Sequence, residues 1–132
     1  MPKIFLHCPA DTFTQVDKAE VISEMTTAAL KLENIPDNFE SRNLVWVYIQ
    51  EYQQHNILDG NKSFASVVSV EVNVIKGRLN TSTKEKLIEQ FTEIIMNFAK
   101  LNDHNSKPVY IVIREIEEEN WGIFGKSIPA SR

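Results

Sequence analysis

Pro2 directly follows Met1. Proline is small enough for the methionine before it to be clipped. The chain would then begin with a free secondary amine, a base that exists only through processing. The plain alternative is a proline that starts a strand, where a missing N–H is tolerated. Few other residues are spaced for chemistry. His7, His55 and His104 have no partners at metal-ligand spacing. Cys8 is the only cysteine, which excludes an intrachain disulfide and a metal site built on thiolates. No metal and no cofactor is expected. Glu51 and Asp59 qualify as acids for activating water by charge alone, and the run Glu115 to Glu119 reads as a solvated loop.

A base at residue 2 needs rigid support, and the next stretch offers it: Lys3 to Cys8 reads as a strand, broken by Pro9-Ala10-Asp11. Thr14 to Asp17 looks like a helix start, with a hydroxyl cap and an acid three residues on. Val16, Ala19, Ile22, Met25, Ala29 and Leu32 then recur at three- and four-residue steps, and Pro36 closes the helix. Leu44 to Glu51 alternates as a second strand, with Val45, Val47 and Ile49 on one face and Trp46, Tyr48 and Gln50 on the other. Gln53 to Ser63 is a polar loop. Val67 to Ile75 is the clearest strand, followed by a turn at Gly77-Arg78-Leu79-Asn80 and a capping box expected at Ser82 to Glu85. Leu87, Ile88, Phe91, Ile94, Ile95, Phe98 and Leu101 form a helical stripe, and Val109 to Ile116 is the fourth strand.

At 132 residues the chain is one domain, 1–132, or two small copies fused into one. The apolar fraction of 42% and charged fraction of 24% are those of a soluble globular protein. A net charge of −4 argues against a nucleic-acid partner, which calls for a basic face. No segment is suited to be a signal peptide or to span a membrane, so a cytoplasmic protein is expected. The halves match: Ile49-Gln50-Glu51 followed by Asn56 and Gly60 answers Ile113-Arg114-Glu115 followed by Asn120 and Gly125, and Lys18 answers Lys84. The chain therefore reads as a duplicated βαβ with pseudo-repeats at 1–63 and 64–132. Two architectures share this order. One is the ferredoxin-like plait. The other keeps each βαβ intact and joins their first strands antiparallel, with both helices on one face. In either, the uncovered sheet face suggests an oligomer.

The stretch Val74-Ile75-Lys76-Gly77-Arg78, the helix carrying Leu87-Ile88, the strand Val109 to Glu115 and the tail Asn120-Trp121-Gly122-Ile123-Phe124-Gly125 together resemble 4-oxalocrotonate tautomerase. Pro2, Asp11 to Lys18, and Glu51 with Asn56 and Gly60 resemble the double-length cis-3-chloroacrylic acid dehalogenase group of the same superfamily. The resemblance covers nearly the whole chain. It implies the second architecture, an α/β (α+β) fold with a four-stranded mixed sheet, and a homotrimer. It also implies a keto-enol tautomerase acting on an enol or 2-keto carboxylate.

In that family the N-terminal proline is the general base. An α-amine titrates at about 7.7–8.0, so its basicity must be lowered for work at neutral pH. Apolar walls and nearby cations both do this by disfavouring the ammonium form. The resemblance assigns Pro2 and Arg78 to catalysis, Arg78 also gripping the carboxylate with its two-pronged guanidinium. It places Lys76, Tyr110 and Trp121 at substrate-binding positions, Trp121 as an apolar wall. There are departures: Trp46 and Tyr110 stand where the tautomerase has a second arginine, and Ile75 and Ala29 replace the dehalogenase's paired arginine and its helical histidine. Lys76 beside Gly77-Arg78 is similar to the paired arginines of malonate semialdehyde decarboxylase, whose aspartate falls on Phe39. The alternatives are a decarboxylase or hydratase-dehalogenase on the same scaffold, or a non-catalytic trimer with a signalling role like that of macrophage migration inhibitory factor. A retained Met1 would make Pro2 an amide and favour the non-catalytic readings.

Overall fold

A computed structural model describes residues 2–127; the state of Met1 lies outside them. Four strands form the sheet: β1 (Lys3–Pro9), β2 (Trp46–Tyr52), β3 (Val68–Ile75) and β4 (Val109–Ile116). Two long helices, α1 (Gln15–Leu32) and α3 (Thr81–Phe98), cross between them, and a short α2 (Phe39–Arg42) precedes β2. The strand order is β2-β1-β3-β4. β1 runs parallel to β2, β3 runs parallel to β4, and β1 meets β3 antiparallel with Lys3 opposite Asn73 and Leu6 opposite Val70. Two intact βαβ units are thus joined through their first strands, which excludes the plait. The tail ends in a small hairpin of β5 (Gly122–Ile123) and β6 (Lys126–Ser127).

Both long helices lie on one face of the sheet. Ile4, Leu6, Val70 and Val72 point into the core and meet Met25 and Ala29 of α1 and Phe91 and Ile95 of α3, all essentially without solvent contact. Thr14 caps α1 by accepting from the Asp17 amide at 3.1 Å, as the sequence suggests. The apolar stripe of α1 begins later than its spacing implies: Val16 is exposed, while Val21 and Leu30, outside the expected set, are fully buried. The cap of α3 lies upstream of the expected box. Asn80 accepts from the Thr83 amide at 2.9 Å and donates its own amide to the Thr83 hydroxyl at 2.8 Å, leaving Ser82 exposed. The polar loop after β2 contains one 3-10 turn, Gln54–Asn56, and a bridge between Leu58 and Phe64.

Among the described residues the opposite sheet face carries no helix. Phe5 stacks on Tyr48 there at 4.9 Å between ring centroids, and Trp46, Tyr48, Tyr110 and Val112 are exposed. Polar contacts tie the strands across this face: His7 Nδ1 lies 2.7 Å from the Tyr52 hydroxyl, and Arg114 bonds Glu71 at 3.3 Å. Among the described residues no helix is long and apolar enough to cross a membrane.

Candidate functional site

Pro2 is buried at the head of β1, an interior strand held on both sides. Parallel pairing within each unit and antiparallel pairing between them bring together the starts of β1 and β2 and the ends of β3 and β4. At that end of the sheet lies a cavity of about 430 Å³. Pro2, Lys3 and Phe5 of β1 line it, with Leu44 and Trp46 at the start of β2, Asn73 of β3 and Ile116 of β4. The tail from Asn120 to Phe124 closes it.

Local structure fixes these walls. The Trp46 indole N–H donates to the Asn43 carbonyl at 2.8 Å, which sets the plane of the ring. A 3-10 turn over Glu118–Asn120 redirects the chain after β4, and the Trp121 amide donates to the Glu118 carbonyl at 3.1 Å. The β5–β6 hairpin then turns through Phe124 (φ 52°) and Gly125 (φ 82°), a pair of left-handed residues that suits the twist of a tight hairpin. An aromatic residue in this region is strained. Here the strained residue is one whose exposed side chain borders the cavity.

The lining is largely apolar. Among the described lining residues Lys3 is the one lysine or arginine, and none is a carboxylate or a histidine. Candidate acids are engaged elsewhere: Glu51 pairs with Lys18 at 3.0 Å, and Asp59 accepts from the amides of Asn61 and Ser63. Glu115 pairs with Lys84 at 2.8 Å, and that lysine's hydrogen bond holds its carboxyl below the usual carboxylate range. Cys8 is a fully buried core residue, and that burial pushes its thiol up to about 11. No group of three or more metal-ligating side chains is found among the described residues.

The structure brings Pro2 and Trp121 together and separates them from the other expected site residues. Lys76 and Arg78 stand on the turn after β3, where Gly77 takes φ 93°. This turn leaves the same end of the sheet, but neither residue lines the cavity. Lys76 pairs with Glu117 at 3.1 Å, and Arg78 is half-buried. Tyr110 is exposed and sits opposite Ser69, four register positions or roughly 13 Å along the sheet from Asn73. Sequence reasoning missed Lys3, Phe5, Leu44, Asn73 and Ile116 as lining residues. The antiparallel pairing of the first and third strands was the signal, because it sets Asn73 opposite Lys3.

Residues 69–131 match the family model described as "Tautomerase enzyme". No curated protein matches the chain. Among solved structures, the wild-type fused 4-OT called Q0, a symmetric trimer, superposes with a TM-score of 0.78 at 21% identity, covering 95% of this chain and 94% of that one. N1, a member of the cis-3-chloroacrylic acid dehalogenase family, gives a TM-score of 0.77 at 21% identity over 96% of this chain and 83% of its own. Pt0534, solved after inactivation by 2-oxo-3-pentynoate, gives 0.76 at 12% identity over 95% and 94%.

Proposed function

Because residues 69–131 match the tautomerase family model and the whole chain shares the fold of fused 4-OT and of N1, we propose that this protein is a cytoplasmic tautomerase of an enol or 2-keto carboxylate. The Pro2 amine, freed by loss of Met1, is its general base. The observation that carries the reading is the placing of Pro2: buried at the head of an interior strand, in an apolar cavity with Trp121 and no competing carboxylate or histidine among the lining residues. An apolar wall disfavours the charged form of an amine, and a base working near neutral pH requires that. Moving one proton between an enol oxygen and the neighbouring carbon needs one base and a dry pocket. A hydratase or dehalogenase also needs a group to activate water, and the described lining residues include no carboxylate for that work.

We place the active form in a homotrimer. The uncovered sheet face presents Trp46, Tyr48, Tyr110 and Val112, apolar area that suits burial against other copies, and the similar fused 4-OT called Q0 is a symmetric trimer. A solution mass of three chains is expected, and a monomer across a wide concentration range would remove this part of the reading.

Three measurements test the activity. Intact mass of the natively expressed protein should show Met1 removed. Phenylenolpyruvate should be converted to its keto form. The pH profile of kcat/KM should show one basic group below the ordinary α-amine range of about 7.7–8.0. A processed protein with no turnover on any enol acid would leave the non-catalytic trimer as the better account.

A further inference from the structure

The cavity needs a cation to hold a carboxylate, and the turn residues Lys76 and Arg78 do not line it. Lys3 does, and among the described lining residues it is the only lysine or arginine. Its backbone is fixed on both sides, by pairing with Trp46 on β2 and with Asn73 on β3. The Asn73 amide nitrogen also donates to the Lys3 carbonyl at 3.1 Å. Lys3 follows Pro2 directly, with Cα atoms about 3.8 Å apart, so base and cation ride on one short piece of interior strand.

The Lys3 ammonium stands 5.5 Å from the Phe5 ring centroid and 5.7 Å from that of Tyr48. Ring faces attract a cation without neutralising it. Among the described residues Lys3 makes no ion pair, whereas Lys76 is paired with Glu117 and Arg114 with Glu71. An uncompensated ammonium at the wall of an apolar cavity is a ready partner for a carboxylate. Beyond it the walls are flat and apolar, built from Phe5, Trp46, Trp121 and Phe124. A second carboxylate on the substrate would meet no cation among the described lining residues there, and an unpaired charge in apolar surroundings is costly.

We propose that Lys3 holds the substrate's carboxylate and that the site selects monocarboxylates bearing a flat apolar or aromatic group. The inference rests on the reading of Pro2 as base, and its test separates the two. Binding of the unreactive probes 3-phenylpropionate, 3-phenylpropionamide and phenylsuccinate to the processed full-length chain would be measured by calorimetry, beside phenylenolpyruvate kinetics.

Lys3→Met should weaken 3-phenylpropionate binding about ten- to hundredfold, the worth of a hydrogen bond between charged groups. It should raise KM by a similar factor with kcat little changed, and leave the neutral amide's binding untouched. Lys3→Arg should restore most of the loss, and 3-phenylpropionate should outbind phenylsuccinate. Circular dichroism would confirm that each variant is folded. Unchanged 3-phenylpropionate binding in Lys3→Met, or the same loss in Arg78→Ala instead, would overturn the assignment while leaving the tautomerase intact. Tighter binding of phenylsuccinate would overturn the monocarboxylate selection. Loss of 3-phenylpropionate binding in Lys3→Met, in a wild type without turnover, would support Lys3 as an anion site and sink the tautomerase reading alone.

Discussion

The two βαβ units are built to one plan, yet the cavity lined by Pro2 and Trp121 lies at one end of the sheet. Thr14 and Asn80 cap the long helices, Gln15 and Thr81 begin them, and Leu32 and Phe98 end them, all at one constant offset along the chain. Lys18 reaches from α1 to Glu51 on β2, and Lys84 reaches from α3 to Glu115 on β4. By the same offsets Pro2 corresponds to Val68, Lys3 to Ser69, Trp46 to Tyr110 and Trp121 to Ile57. The second end therefore has a mid-chain valine where the first has a terminal proline, and a serine where the first has a cation. A symmetric scaffold offers two equivalent sheet ends. The cavity lies at the end where β1 starts and the segment from Asn120 to Phe124 folds over.

The sharpest way to break this comparison is at its centre. Pro2→Ala should lower turnover of phenylenolpyruvate by about 10²–10⁴-fold, the usual worth of a positioned general base, while Ser69→Ala at the other end leaves steady-state kinetics unchanged. Comparable losses in both would mean that both ends take part.

The cores of the units should respond alike. Phe91 of α3 and Met25 of α1 occupy corresponding positions, and both are fully buried. Truncation to alanine should cost about 3–5 kcal/mol for Phe91 and about 2–5 kcal/mol for Met25, read from urea unfolding of each variant. A negligible cost at Met25 would show the first unit to be the more loosely packed.

Cys8 corresponds to Val74 on β3, and both are fully buried. Cys8→Val should cost less than about 1.5 kcal/mol near neutral pH. Burial raises this thiol from 9.0 to about 11. The unfolded thiol therefore ionises first, and the stability linked to it is complete below pH 9.0 and lost as pH rises toward about 11. Denaturant midpoints from pH 8 to 11 should thus fall more steeply in the wild type than in Cys8→Val. Parallel curves would refute the assignment.

The caps differ most subtly. Thr14→Ala and Asn80→Ala should each cost about 1 kcal/mol, with the larger loss at Asn80, whose side-chain oxygen accepts from both the Thr83 amide and the Thr83 hydroxyl. Equal thermal melts would erase that distinction.

Much of the scaffold was legible in the sequence because its signals are local. Alternation in Val68–Ile75, the cap at Thr14 and the matched motifs of the two halves depend on neighbours along the chain. Of the residues lining the cavity, Pro2 and Trp121 were legible, because resemblance to a family picks them out. Lys3, Leu44, Asn73 and Ile116 were not, since they converge only through pairing between distant strands. Tyr110 shows the converse: it holds the position in the second unit that Trp46 holds in the first, so a correct motif lands at the far end of the sheet. The cap at Asn80 was displaced because Ser82-Thr83-Lys84-Glu85 also satisfies the capping-box pattern, and only geometry decides which side chain reaches the amide.

The interior position of β1 also governs when the site can form. The strand made first during synthesis has both of its edges open until later segments arrive. β2 closes one edge once α1 has folded across, but the edge facing β3 waits until Val68–Ile75 has been made. Pairing across so long an interval must first overcome loop-closure entropy, which slows folding. The mouth of the cavity needs more still, since Ile116 and Trp121 come from the last part of the described chain. An assembling chain thus gains this cavity at the end of folding, and a half-made copy lacks its walls.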